Sequence, residues 1–177
     1  IQNKVKINPL LKNIIAACVL LPMATPGMVL GLGYIFFFNQ PANPLHGLYG
    51  GMSLLILCTV MHFYTTAHLS LSTALLQLDQ EYEAIGASLG VPVWRTIIRV
   101  SIPLTLPVII DTARYLFVSA LTTVSAVIFL YSPDSVLASI SILNMDDAGD
   151  TAAAAAMACL ITLTAAIGSL LFFCLGK

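Results

Sequence analysis

Thr151-Ala152-Ala153-Ala154-Ala155-Ala156-Met157-Ala158-Cys159-Leu160-Ile161-Thr162-Leu163-Thr164-Ala165-Ala166-Ile167-Gly168-Ser169-Leu170-Leu171-Phe172-Phe173-Cys174-Leu175 contains neither a charge nor a proline. At about 1.5 Å of rise per residue, a helix of this length crosses a hydrocarbon layer of about 30 Å. Three further apolar stretches, residues 14–38, 51–73 and 102–131, also reach bilayer-spanning length, which predicts about four transmembrane helices. Lipid offers no partners to backbone N–H and C=O groups, so each span is expected to be helical, and the fold class is all-α and polytopic.

The rest of the composition agrees. Of 177 residues, 59% are hydrophobic and 8% charged, with a formal net charge of −1, and the mean hydropathy is +0.96. A soluble domain carries about a quarter of its residues as charges. Seven Lys and Arg against eight Asp and Glu supply no phosphate-tracking patch, so no nucleic-acid partner is expected. Cys18, Cys58, Cys159 and Cys174 each lie inside an apolar run and match no zinc or redox spacing, which predicts small buried side chains. The chain starts Ile1-Gln2-Asn3-Lys4 without a signal-peptide pattern, and it is expected to be an N-terminally incomplete piece of a longer protein.

Basic residues set the expected orientation. Lys4, Lys6 and Lys12 precede the first span, Arg95 and Arg99 lie between the second and third, and Lys177 follows the fourth. With four spans these places share one side, the cytoplasmic one by the positive-inside rule. The two outer connections carry Asp134, Asp146, Asp147 and Asp150 and no Lys or Arg.

The cytoplasmic interval, residues 77–101, is the most structured of the connections. Asp79, Glu81 and Glu83 stand where a helix N-terminus favours negative charge, and Gly90 followed by Pro92 ends that helix. Tyr82, Ile85 and Leu89 form one apolar stripe. Ala84, Gly86, Ala87 and Ser88 leave the other faces open to close approach by another protein. An amphipathic helix resting on lipid is the competing reading, but it calls for a basic polar face.

This segment resembles the membrane permeases of ATP-binding-cassette importers. Their signature is a cytoplasmic Glu-Ala-Ala, a Gly a few residues on, nine residues, then hydrophobic-x-hydrophobic-Pro. After Gly90 come residues 91–99 and then Val100-Ser101-Ile102-Pro103. The positions usually held by Glu-Ala-Ala carry Ala84, Ile85 and Gly86, with the glutamate one residue early at Glu83. The resemblance covers the whole chain as a single MetI-like permease domain, residues 1–177, the C-terminal part of a permease in the bacterial inner membrane. It implies that Glu81, Glu83, Ala84, Gly86, Ala87, Gly90 and Pro103 belong to the loop that couples to an ATPase. It also implies two cytoplasmic ATPase subunits binding ATP and Mg²⁺, a second permease half, a periplasmic solute-binding protein and surrounding membrane lipid. This chain itself has no Walker A loop and is expected to bind no cofactor.

Residues 22–34 look like the branch of that family importing ferric iron, polyamines, sulfate and aminoethylphosphonate. Residues 130–134 and 144–150 are most similar to 2-aminoethylphosphonate permeases, with ferric iron as the competing substrate.

Candidate pathway residues come from the spans themselves. Pro22, Pro26 and Gly27 interrupt the first span, and a half-helix starting after Pro26 would aim N–H groups at an anion. A packing kink with Gly27 and Gly31 in close contact is the other reading. Thr59, His62, Thr66, Ser70 and Thr73 form a polar stripe on the second span, facing either a neighbouring helix or a passage. Asp111 and Arg114, three apart on the third span, can pair, either to line a route or to fix helix register. His62 and His68 are six apart and do not share a helix face, so no metal site is expected. His46 has no evident partner, and Asp146-Asp147-Ala148-Gly149-Asp150 reads as a solvated acidic rim facing the solute-binding protein. An intramembrane enzyme using His62 or Asp111 is the alternative class, but no hydrolase or metalloprotease motif accompanies them.

Overall fold

The computed structural model describes residues 8–78, 85–86 and 88–176, and among them every regular element is a helix. In order these are α1 (Pro9–Ala24), α2 (Gly27–Phe38), a 3₁₀ turn (His46–Leu48), α3 (Met52–Leu76), α4 (Val93–Thr122), α5 (Ala138–Asp147) and α6 (Thr151–Leu175). Three of them, α3, α4 and α6, are long and apolar enough to cross a membrane, and the bent pair α1 and α2 raises that to four if it counts as one span. The chain packs as two compact units, one holding residues up to Thr66 with Thr123–Leu137, the other Ala67–Thr122 with Ala138–Lys177.

In the first unit, the predicted span at residues 14–38 is two helices meeting at 107°. Pro26 causes the break. It cannot donate a backbone hydrogen bond, and it drives the preceding Thr25 to extended geometry, φ −96° and ψ 123°. The end of α1 is closed by Thr25, whose backbone N–H and hydroxyl both donate to the Leu21 carbonyl at 3.1 and 2.8 Å. At its start, Asn8 Oδ1 accepts from the Leu10 N–H and Pro9 occupies the first helical position. The far end of α2 is capped by the following loop: Asn43 Nδ2 donates to the Phe37 carbonyl at 2.8 Å, and His46 Nδ1 donates to that of Phe38 at 3.0 Å. His46 thus has a partner that its sequence neighbourhood did not suggest.

The predicted span at residues 102–131 is displaced. Helix α4 starts at Val93 and stops at Thr122, and residues 123–131 are turns and irregular chain whose Ala126, Val127 and Leu130 are buried, as are Leu54, Leu55 and Cys58 of α3. Their apolar character comes from burial in protein. Cys58 is buried and donates to the Ala126 carbonyl at 3.4 Å, whereas Cys18, Cys159 and Cys174 are exposed on their helices, contrary to the expected burial.

In the second unit α4 and α5 both pack on α6. Phe117 of α4 occupies the space a side chain at Gly168 of α6 would need, and its ring lies 5.8 Å from that of Phe172. The acidic run expected as a solvated rim is a helical corner. Gly149, at φ +82°, lets the Asp150 N–H reach the Met145 carbonyl and the Gly149 N–H reach that of Asp146, both at 2.9 Å. The Asp150 carboxylate then accepts from the Ala153 N–H at 3.1 Å and caps α6. Asp146, Asp147 and Asp150 are all exposed.

Candidate functional site

Three places gather the residues singled out by sequence. The first is the turn into α4. Ile85, Gly86 and Ser88 are helical; Glu81, Glu83, Ala84 and Ala87 lie outside the described residues. Gly90 adopts φ +67°, and the Val91 N–H bonds back to the Gly86 carbonyl at 2.9 Å. This six-to-one bond around a left-handed glycine ends the helix as the Gly90 and Pro92 spacing predicts. Pro92 then serves as N-cap of α4. Gly86 packs against Thr96, whose hydroxyl lies 3.0 Å from where a Cβ on Gly86 would stand, so the two short helical pieces close on each other through a residue without a side chain. Ile85 and Leu89, one turn apart, are both exposed, as is Trp94, with the Arg95 guanidinium 5.1 Å from its ring centre.

Pro103 shapes the next part of α4. Residues Ile97–Ser101 form a π turn, closed by the Ile102 N–H on the Ile97 carbonyl. The pyrrolidine at 103 has no N–H and crowds the preceding turn, and the wider π turn relieves that crowding. Sequence reasoning assigned Pro103 to a motif and missed this local consequence.

The second place is the break between α1 and α2. Pro26 is the N-cap of α2 and carries no capping side chain. A Cβ on Gly27 would stand 2.5 Å from Ser125 Oγ, 3.2 Å from the Ala126 nitrogen and 3.2 Å from His62 Cε1. One turn on, a Cβ on Gly31 would stand 2.7 Å from the Ala126 carbonyl oxygen. Gly27 and Gly31 therefore seat α2 directly on the backbone of residues 123–131, the close contact expected of that pair. His62 packs edge-on to Phe63 with centroids 4.8 Å apart, and its Nδ1 is buried with no hydrogen-bond partner among the described residues.

The polar stripe on α3 divides. Thr59 bonds within its own helix, to the Leu55 carbonyl, and Thr66 is half-buried one turn beyond His62. The cross-helix bond that such a stripe suggests is made instead by Thr65, which is buried and donates to the Val19 carbonyl of α1 at 2.6 Å. Thr65 and Thr66 differ by about 100° around the helix, and their identical chemistry gave no signal of which one points inward.

The third place is Asp111 and Arg114 on α4. They do pair, Arg114 Nη2 donating to Asp111 Oδ1 at 3.1 Å, and their side chains remain 68% and 39% exposed. A groove of about 400 Å³ is lined by Leu69, Ser70, Thr73 and Ala74 of α3, by Gln77 just after it and by Val108 of α4, and neither Asp111 nor Arg114 is among its lining residues. Among the described residues no three His, Cys, Asp or Glu side chains are grouped to hold a metal ion.

Relatives are similar in sequence along most of this chain. The ferric transport system permease protein FbpB of Actinobacillus pleuropneumoniae is 30% identical over 154 residues, 87% of this chain and 22% of that protein. A ferric transport system permease protein, FbpB 1 of Haemophilus influenzae, is 34% identical over 116 residues, 66% of this chain and 18% of that protein. The 2-aminoethylphosphonate transport system permease protein PhnV of Salmonella paratyphi A is 26% identical over 140 residues, 77% of this chain and 51% of that protein. The chain thus spans from under a quarter to about half of the length of these relatives. The family model for the binding-protein-dependent transport system inner membrane component matches residues 2–176, and the chain belongs to that family of multi-pass inner-membrane permeases.

Proposed function

We propose that this chain forms part of the membrane permease of an ATP-driven importer, without chemistry of its own. The observation that carries the reading is the turn at Gly90. A left-handed glycine ends one short helix, Pro92 starts α4, and Ile85 and Leu89 stand exposed beside it. An exposed apolar pair on a helix held by backbone bonds is a knob that a groove in another protein can take. In this reading the groove belongs to a cytoplasmic ATPase. Two such subunits bind ATP with Mg²⁺, and their closure rocks this chain and a second permease half between inward and outward access. A periplasmic solute-binding protein delivers the solute at the opposite face.

The transported solute is ferric iron or a phosphonate such as 2-aminoethylphosphonate. Sequence reading preferred the phosphonate, yet the ferric relatives match at 30% and 34% identity and the phosphonate relative at 26%. The similarity therefore gives the phosphonate no advantage.

The test is reconstitution of the complete transporter, with its ATPase and binding protein, in vesicles. ATP-dependent accumulation of radioactive iron or of labelled 2-aminoethylphosphonate supports the reading, and saturation by one solute over the other assigns the substrate. An ATPase that fails to co-purify with the intact chain would sink it.

A further inference from the structure

We propose that the start of α4 lies on the cytoplasmic membrane surface and holds the phosphate of an anionic phospholipid at Arg95 and Arg99, with Trp94, Ile98 and Ile102 against its acyl chains. The site needs α4 to cross the membrane and does not depend on the import reading above. Helix α4 has 30 residues, about 45 Å of rise against a hydrocarbon layer of about 30 Å. The excess lies at its start. Helix α4 runs antiparallel to α6, with Phe117 at Gly168 and Ile110 Cγ2 3.6 Å from where a Cβ on Gly176 would stand, so the turns before Ile110 extend past Gly176. In those turns Trp94, Ile98 and Ile102 are exposed, and so are Arg95 and Arg99. Residues four apart drift by about 40° around an α-helix. The π turn at Ile97–Ser101 advances less per residue and offsets that drift. Trp94, Ile98 and Ile102 therefore form one apolar line, and Arg95 and Arg99 a cationic line about 100° to its side.

The apolar line faces away from the turn that carries the knob. Gly86 packs against Thr96, and Thr96 is two residues, about 200°, from Trp94, so the short helix with Ile85 and Leu89 stands on the other side of α4. Two cations one turn apart repel each other, and among the described residues no carboxylate pairs with Arg95 or Arg99. The Arg95 guanidinium lies 5.1 Å from the centre of the Trp94 ring, which holds it beside the apolar line. A free phosphate would satisfy the two guanidinium forks and leave Trp94, Ile98 and Ile102 bare. A phospholipid meets both lines: its phosphate oxygens accept charge-assisted hydrogen bonds, and its chains cover the apolar residues. Indole and arginine both settle at that depth of a membrane. The only carboxylate on α4, Asp111, stands twelve residues past Arg99 and pairs with Arg114. No acidic neighbour on this helix receives the ammonium of a zwitterionic headgroup, so a net negative one fits.

Trp94 is the one tryptophan of the chain, so its fluorescence reports on the site directly. The full chain is reconstituted in vesicles of phosphatidylcholine with a minor share of phosphatidylglycerol. Bromine, which quenches indole on contact, is carried on the acyl chains of one lipid or the other. Brominated phosphatidylglycerol should quench Trp94 at least about fivefold more per mole than brominated phosphatidylcholine, and raised salt should lower that ratio. Arg95→Gln with Arg99→Gln should bring the ratio to about one while both lipids still quench. Both arginines are exposed, and surface substitutions of this kind leave stability nearly unchanged. Equal quenching by the two lipids in the unaltered chain overturns the anionic headgroup, as does a ratio that the double change leaves intact. Quenching by neither lipid overturns the whole surface and assigns Trp94 to water or to an acidic patch on the ATPase. None of these readings involves uptake, so the import reading stands or falls by its own test.

Discussion

A Cβ placed on Gly31 would stand 2.7 Å from the carbonyl oxygen of Ala126, so α2 rests on residues 123–131 backbone to backbone. Gly27 makes the same kind of approach one turn earlier, against Ser125 and Ala126. The half-helix after Pro26 is held by two glycines a turn apart, and its direction is set by a contact that admits no side chain.

Gly31→Ala and Gly33→Ala should therefore behave in opposite ways, although both lie in α2. Nothing lies within 4 Å of a Cβ on Gly33, and Ala there should be neutral or stabilise by up to about 1 kcal/mol through helix propensity. At Gly31 the obstacle is backbone, which cannot swing aside, and overpacking of this kind costs about 1–3 kcal/mol. Thermal unfolding of the purified protein in detergent reads both, and equal melting temperatures for the two variants would contradict the seating.

Asp150 separates a structural from a recognition role for the acidic corner. Its carboxylate caps α6 at the Ala153 N–H, so Asp150→Ala should cost about 0.5–2 kcal/mol, while Asp150→Asn keeps the acceptor and most of the stability. Asp146 and Asp147 are exposed, and Asn at both should leave stability unchanged within about 0.5 kcal/mol. If the corner also meets the binding protein, the double change weakens that association without moving the melting temperature. A surface-plasmon measurement with the binding protein immobilised reads it.

Pro26 announced the break in the first span because proline acts on its own neighbours, and the Gly90 turn was legible for the same reason. Residues 123–131 were misread as membrane helix because apolar sequence looks alike whether lipid or protein covers it. Ala126, Val127 and Leu130 are buried, the Ala126 carbonyl accepts from Cys58 of α3, and only the folded chain distinguishes the two. The short helix expected after Pro92 and the third span are one helix, α4, because Arg95 and Arg99 mark the end of an apolar stretch, not the end of a helix. Thr65 and Phe117 were invisible for a related reason, since each acts on a partner distant in sequence, Val19 and Gly168.

Gly90→Ala tests whether the turn geometry matters to coupling. A non-glycine residue at φ +67° costs about 1–2 kcal/mol per residue, enough to favour another path from the short helix into α4. The expected result is normal membrane insertion with reduced ATPase retention on co-purification. Gly86→Ala presses only on the Thr96 side chain at 3.0 Å, and Gly86→Ala with Thr96→Ala should recover whatever Gly86→Ala loses. Full ATPase retention by Gly90→Ala would mean that the partner does not read this turn.

Arg114→Ala strips Asp111 of its partner on a helix expected to lie in the membrane, and Asp111→Asn does the converse. If the pair only fixes helix register, either change should impair assembly, and Arg114→Gln with Asp111→Asn, two neutral amides able to bond each other, should restore both assembly and uptake. If Arg114 touches the solute, the double variant assembles normally and still fails to transport, since neither amide carries a cation. Arg114→Lys keeps the charge but loses the planar fork, so uptake should fall by about tenfold or more with assembly intact. Yield of the intact complex by size exclusion and initial uptake rate in vesicles must be read separately for each variant. Recovery of uptake in the double amide would assign the pair to register alone.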